Sequence, residues 1–249
     1  MVASVVRCIT TCSWHQKEQK HFLFPTRGKE VTKFKIDIVE IIPKNCIRYL
    51  GVYFDTLANF REHLERAPDR AMEKIRSLIQ LMPNVGGPNS CKRAMLAGVV
   101  HSIVVYGLPI WIDALEVKRN HYRLERTQRT VLLRVASAYK TVLAVAVQVV
   151  TGTLPIDPMA EERKVTYIGG KREEINMLMI DKWQDRWNNN TNKGQLTKTL
   201  IPDIKKSIKC SHREIDYYLT QALTGHGNFK TYVKRIGEEE DDECTNGGD

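Results

Sequence analysis

Apolar residues in the first third of the chain change period once, and the change marks a passage from strands to helices. From Lys33 to Val39 and from Ile47 to Phe54, Phe, Ile, Val and Tyr alternate or cluster as in paired strands, with Pro43, Lys44 and Asn45 as the turn. Gly51, inside the second run, marks a bulge or a close backbone approach. Beyond Asp55 the spacing becomes helical. Asn59 and Glu62 form a capping-box pair ahead of Phe60, Leu64 and Ala67. Pro68 is expected to kink or split that helix, because its ring displaces the carbonyl four residues back and it has no amide hydrogen to donate. The pattern resumes with Ala71, Ile75, Leu78 and Met82.

Asn84 to Pro88 is a loop by composition, and Asn89 can cap the helix that follows. That helix runs to about Tyr106, where Gly107 and Pro109 stop it, and Trp111 packs beyond it. At ~100° per residue, the helix from about Lys118 to Ala138 separates into two faces. Leu124, Gln128, Val131, Val135 and Ala138 fall on one side, and Arg119, Arg123, Arg126 and Arg134 on the other. A shorter apolar helix follows to Val150 and ends at Gly152. Gly169 and Gly170 interrupt the next helical stretch, after which Ile175, Met179, Trp183 and Trp187 align on one face. Asn188 to Gly194 reads as a flexible linker. Ser211 and Glu214 make a second capping box before Ile215, Tyr218, Leu219, Ala222 and Leu223, and Gly225 closes that helix. The fold class expected is mainly α with a small N-terminal β-hairpin.

Charge narrows the partners. Lys and Arg number 38 against 29 acids, and six of those acids are consecutive, from Glu238 through Glu240, Asp241 and Asp242 to Glu243. The rest of the chain is therefore strongly basic, which points to a polyanion, either nucleic acid or an acidic membrane surface. No apolar stretch reaches the ~20 residues of a membrane span; Val142 to Val150 is short and interrupted by Gln148. Near the start, Arg7, Cys8 and Thr10 break up the apolar Val5, Val6 and Ile9, unlike a secretory signal. An intracellular protein is expected. Its six cysteines have no repeated spacing and are expected to stay reduced.

The arginine face of the Lys118 to Ala138 helix is the main candidate site, since guanidinium groups bind phosphates through paired, charge-assisted hydrogen bonds. A solvated helix face would look the same. Cys8, Cys12, His15 and His21 are four zinc-competent side chains, but their spacing is poor for a structural site. His226, between two glycines, could be a ligand, an exposed base or a structural residue. Asp241 and Asp242 belong to a run of like charge that reads as a solvated, disordered tail. There is no phosphate-cradling Gly-x-x-x-x-Gly-Lys and no nucleophile elbow.

Seven strings carry a resemblance: IRYLGVYFD (Ile47 to Asp55), LMPNVGGPNSCKRAML (Leu81 to Leu96), VYGLPIWIDAL (Val105 to Leu115), QRTVLLRVASAYKT (Gln128 to Thr141), WQDRW (Trp183 to Trp187), LIPDI (Leu200 to Ile204) and YYLTQALTGHGNF (Tyr217 to Phe229). In order and spacing, from roughly Arg27 onward, they resemble the region after the catalytic palm in jockey-like non-LTR retrotransposon reverse transcriptases of insects. The resemblance implies that Leu50, Gly51 and Val52 belong to the end of the palm, where the primer is held. It implies that the following helices form a thumb gripping the template-primer duplex, and that the Trp and Gly-His-Gly region is a linker. The boundaries expected are 1–56 for the palm remnant with its hairpin, 57–165 for a helical thumb-like domain, 166–237 for a helical linker region and 238–249 for the acidic tail.

Two departures from the family bear on activity. The polymerases hold two metal ions with a Tyr-x-Asp-Asp motif and an earlier aspartate, and this sequence contains neither. The family's zinc knuckle opens with Cys-x-x-Cys, whereas Cys244 is followed by Thr245, Asn246 and Gly247. The expectation is a C-terminal fragment of an RNA-directed DNA polymerase, inactive alone, with no cofactor in this chain although the complete family enzyme would use Mg. Its partners would be RNA, DNA or their hybrid, with Lys92, Arg93, Arg119, Arg123 and Arg126 as phosphate contacts. Nuclear action is implied by the family. The alternative is a non-catalytic helical module that binds another protein, or a relic without function.

Overall fold

The run from Cys46 to Asp55 folds back on itself. In the computed structural model, which describes residues 44–190, 194–209 and 214–227 with shorter pieces at 34–36, 39–41, 229, 232–234 and 237, two separate antiparallel pairs form. Strand β1 (Phe34–Ile36) pairs with β2 (Val39–Ile41), and β3 (Cys46–Tyr49) pairs with β4 (Val52–Asp55). The expected pairing of the run at Lys33 with the run at Ile47 is thereby corrected. Leu50 and Gly51 have φ of 45° and 86°, the pair of positive values that a two-residue type I′ hairpin turn demands. Gly51 is therefore a turn residue rather than a bulge, though the close approach is present: a Cβ there would lie 2.9 Å from Cε1 of Tyr106. Leu50 lacks glycine's freedom, and the Tyr106 hydroxyl steadies it by donating to its carbonyl at 2.7 Å.

Alternation along β4 turns Val52 and Phe54 inward, with Ile47 opposite Phe54. The Asp55 carboxylate then organises the passage into helix α1 (Arg61–Ile79), accepting from the amides of Leu57, Asn59 and Arg61 at 3.1, 3.0 and 3.2 Å. The expected capping box does not form. Asn59 accepts from Arg61 at 3.0 Å, while Glu62 faces along the helix to Arg66. Helix α1 also runs unbroken through Pro68, which is buried.

Asn89 caps α2 (Ser90–Val104) as expected, its side chain accepting from the Lys92 amide at 3.0 Å. Gly107, with φ of 65°, turns the chain into the short α3 (Leu108–Trp111) and the 3-10 turn Ile112–Glu116. Pro109 sits in the first turn of α3, where no amide bond is lost, so it opens a helix instead of ending one. Helix α4 (Lys118–Val135) stops short of Ala138 because Ser137 adopts a left-handed φ of 54°. Then come α5 (Ala144–Thr151), α6 (Ile156–Tyr167), α7 (Arg172–Asn188), α8 (Gln195–Leu200), α9 (Ile204–Lys209) and α10 (Tyr217–Thr224). The last is capped by Asp216, which accepts from Leu219 at 2.7 Å, so the helix begins later than a Ser211–Glu214 box implies. Ser211 lies outside the described residues. So do Cys8, Cys12, His15, His21, the acidic tail and Cys244. The chain is mainly α with small antiparallel β elements, as its periodicity indicates.

One large core joins the β3–β4 hairpin to α1 through α6, centred on Leu64, Val100, Leu108, Trp111, Leu124 and Val147, all fully buried. A smaller cluster unites Val149 of α5 with Trp183 and Trp187 of α7 and Ile204 of α9. Buried polar groups in α4 and α5 satisfy each other. Gln148 donates to Gln128 at 3.1 Å, and Gln128 donates to the Leu154 carbonyl at 2.8 Å. Among the described residues no single helix is long and apolar enough to cross a membrane. The bent pair α2 with Leu108–Glu116 passes on length and composition, but Val100, Val104, Leu108 and Trp111 are buried in the protein core.

Candidate nucleic-acid interface

The five cations singled out from the sequence occupy three different situations. Arg93 is turned inward and only 4% exposed. Its guanidinium donates to the carbonyls of Pro88 at 2.7 Å, Pro83 at 2.7 Å and Arg134 at 3.1 Å, tying the Pro83–Pro88 loop to the end of α4. Buried and committed to three carbonyls, it is not presented to a phosphate. Arg119 and Arg123 meet acids of α1. Arg119 lies 3.7 Å from Glu65, and Arg123 lies 3.3 Å from Asp69 while donating to the Glu65 carbonyl at 3.2 Å. Lys92 and Arg126 are exposed, with no acidic partner among the described residues. The sequence pattern placed the α4 arginines on one face correctly. It could not show that α1 lies along part of that face.

Sequence reasoning missed a second set of cations. Arg48 of β3 and Arg70 and Lys74 of α1 line a groove of about 570 Å³ beside the Leu50–Gly51 turn, with Tyr106 at its other wall and Glu73 as its one acid. Arg48 and Arg66 also flank the Tyr53 ring, 5.8 and 5.0 Å from its centroid. These residues come from two elements and alternate with apolar positions, so no linear run of charge announces them. Their field is felt in the interior. Burial, with the Arg70 charge behind it, pushes the His63 pKa down to about 4. Burial and the Arg163 charge do the same to His101. Both imidazoles are neutral near pH 7.

His226 is held by its own loop, with Nδ1 at 2.8 Å from the Thr224 carbonyl, which requires the proton on that nitrogen. Among the described residues no three His, Cys, Asp or Glu side chains converge as a metal site would need. Cys46 and Cys91 are free thiols.

Three relatives share this chain's sequence over most of its length. The 115 kDa protein in type-1 retrotransposable element R1DM of Drosophila melanogaster is 26% identical over 76% of the chain. Retrovirus-related Pol polyproteins from R1 elements of Nasonia vitripennis and Bradysia coprophila are 25% identical over 80% and 24% identical over 78%. The chain is related to R1 retrotransposon Pol polyproteins. It covers 21%, 54% and 22% of the lengths of these three relatives. No family model matches it, and no solved structure does.

In this R1-related chain, strings distant in sequence are adjacent in space. The Trp187 indole donates to the Ile201 carbonyl at 3.0 Å, and Gln184 bonds both the Pro202 carbonyl and the Ile204 amide, so WQDRW and LIPDI form one unit. Tyr217 meets Tyr139 at 2.8 Å, and Thr220 donates to the Ala136 carbonyl at 2.6 Å, which docks α10 on the loop after α4. That loop is held from inside by Arg129, which bonds the carbonyls of Lys140 and Val142.

Proposed function

We propose that this chain is a nucleic-acid-binding part of a retrotransposon reverse transcriptase, holding a template-primer duplex with a thumb-like helical body and not polymerising on its own. The observation that carries the reading is the groove lined by Arg48, Arg70 and Lys74, none of which has an ion-pair partner among the described residues, in a chain related to R1 Pol polyproteins. Cations left unpaired on a folded surface are available to displace the counterions of a polyanion. Lys92 and Arg126 are further contacts of the same kind, and Arg119, 67% exposed at its side chain and only loosely paired, adds a weaker one. The family's Tyr-x-Asp-Asp string does not occur in this sequence, and the role proposed for the chain is binding.

Fluorescence anisotropy with a short RNA–DNA hybrid, across a salt series, tests this. Affinity should fall linearly on a log-log plot, and Arg48→Glu with Lys74→Glu should flatten the slope by about one to two ion equivalents. No binding at low salt, or a slope unmoved by the pair, would refute the groove.

A second reading has one observation behind it. Met95 and Val99, one turn apart on α2, are 70% and 49% exposed. An apolar face of this sort suits a protein partner. Charge reversal at Arg119 and Arg123 would leave such partner binding intact.

A further inference from the structure

Beside the basic groove lies a larger cleft, of about 830 Å³, between the C-terminal half of α2 and α6. Ser102 and Tyr106 line both, at the C-terminal end of α2. Resting on the duplex-binding reading above, we propose that this cleft receives an unpaired nucleotide of a single strand leaving the duplex. The base stacks on Tyr167, and the phosphates lie against Arg163 and Arg172.

The cleft has the two components that such a ligand needs, ring faces and unpaired positive charge. Tyr167 is 76% and Tyr106 50% exposed, so both rings are open to a stacking partner. The hydroxyl of Tyr106 is tied to Leu50, which fixes its ring as a rigid wall. The cations differ from their neighbours in a telling way. Around the cleft, Lys164 pairs with Asp113 at 3.0 Å, Lys182 with Glu161 at 2.5 Å and Lys171 with Glu174 at 3.2 Å. Arg163 and Arg172 are exposed and have no such partner among the described residues.

Glu162 sets the orientation, and His101 leaves the charge of the cleft unchanged. Glu162 lines the cleft as its one acid, repelling phosphate and able to accept from a ribose hydroxyl or an exocyclic amine. His101 presents an imidazole whose Nε2 is closed off from water and unpartnered. Neutral at working pH, it adds no charge to compete with the arginines. A purely hydrophobic ligand would leave both arginines unused.

The test compares the full chain's affinity for a blunt RNA–DNA hybrid with its affinity for the same hybrid carrying a three-nucleotide overhang that contains 2-aminopurine. The overhang should tighten binding by roughly tenfold, since stacking on an aromatic ring is worth about that much per base, and 2-aminopurine fluorescence should be quenched. Tyr167→Ala, at an exposed helix end, should abolish both the gain and the quenching while blunt-hybrid affinity stays unchanged. Tyr167→Phe should retain them, because the ring and not the hydroxyl is needed. Arg163→Ala with Arg172→Ala should remove the gain and lower the salt dependence of the overhang only. Quenching of free 2-aminopurine ribonucleoside monophosphate that depends on Tyr167 would support the same site with a free nucleotide as its source.

Equal affinity for blunt and overhanging hybrids would overturn the cleft proposal and leave the duplex reading standing. Loss of blunt-hybrid binding in Arg48→Glu/Lys74→Glu tests that reading separately. Displacement of the overhang by an acidic peptide at matched salt, as effectively as by a single-stranded oligonucleotide, would also overturn it.

Discussion

The arginine face of α4 and the cations around Tyr106 present the same chemistry in opposite circumstances. On α4, Arg119 and Arg123 lie against Glu65 and Asp69 of α1, so part of their charge is answered within the protein. Around Tyr106, Arg48, Arg70 and Lys74 share a groove with the single carboxylate of Glu73, and Arg163 and Arg172 share a cleft with that of Glu162. A count of arginines favours α4. A count of unanswered charge favours the other side, and unanswered charge is what attracts a polyanion. The third case, Arg93, shows the extreme: a guanidinium buried among three carbonyls acts as a bolt between a loop and a helix.

The largest effect expected is at that bolt. Arg93→Met should lower unfolding stability by roughly 2–4 kcal/mol, because the acceptors it serves lose a charged donor, while the folded fraction keeps its nucleic-acid affinity. Chemical denaturation and anisotropy on the same sample would check both halves. Normal stability with lost binding would reverse the assignment of Arg93.

Next comes pH. His63 and His101 have pKa values lowered to about 4, against ~6.5 in an unfolded chain. As pH falls through ~6.5 the unfolded chain takes up protons first, so stability present above that pH is lost progressively down to about pH 4, by at most about 3 kcal/mol per histidine. His63→Leu should flatten the denaturation midpoint between pH 7 and 5. An unchanged slope would mean that His63 is not held neutral beside Arg70.

A smaller effect belongs to the groove, where Lys74→Glu alone should weaken hybrid binding by roughly tenfold at low salt and progressively less as salt screens the charge. The smallest belongs to α4. Arg119→Ala should change stability by less than about 1 kcal/mol, in keeping with exposed ion pairs, and affinity by only about twofold. If Arg119→Ala cost more binding than Lys74→Glu, the contrast between the two regions would collapse.

Several parts of this fold were legible in the linear pattern. Ile175, Met179, Trp183 and Trp187 are buried along α7 as their spacing requires, Asn89 caps α2, and Gly152 and Gly225 end helices with left-handed φ. These are local matters, settled within a turn or two of the chain. The strand pairing was misread because a leucine at positive φ gives no warning in sequence, and Tyr106, 56 residues away, helps to hold it there. The capping box near Asn59 was misread because Asp55, four residues earlier, already supplied the acceptor.

The candidate site divides the same way. By itself the sequence determined the helical class, the basic excess, the amphipathic α4 and the family resemblance, since composition and period survive any arrangement of the elements. Only the tertiary structure decided which cations remain free. Charge is a property of a residue, but availability depends on the carboxylates and carbonyls that other elements bring within 4 Å of it, and that pairing is written nowhere along the chain.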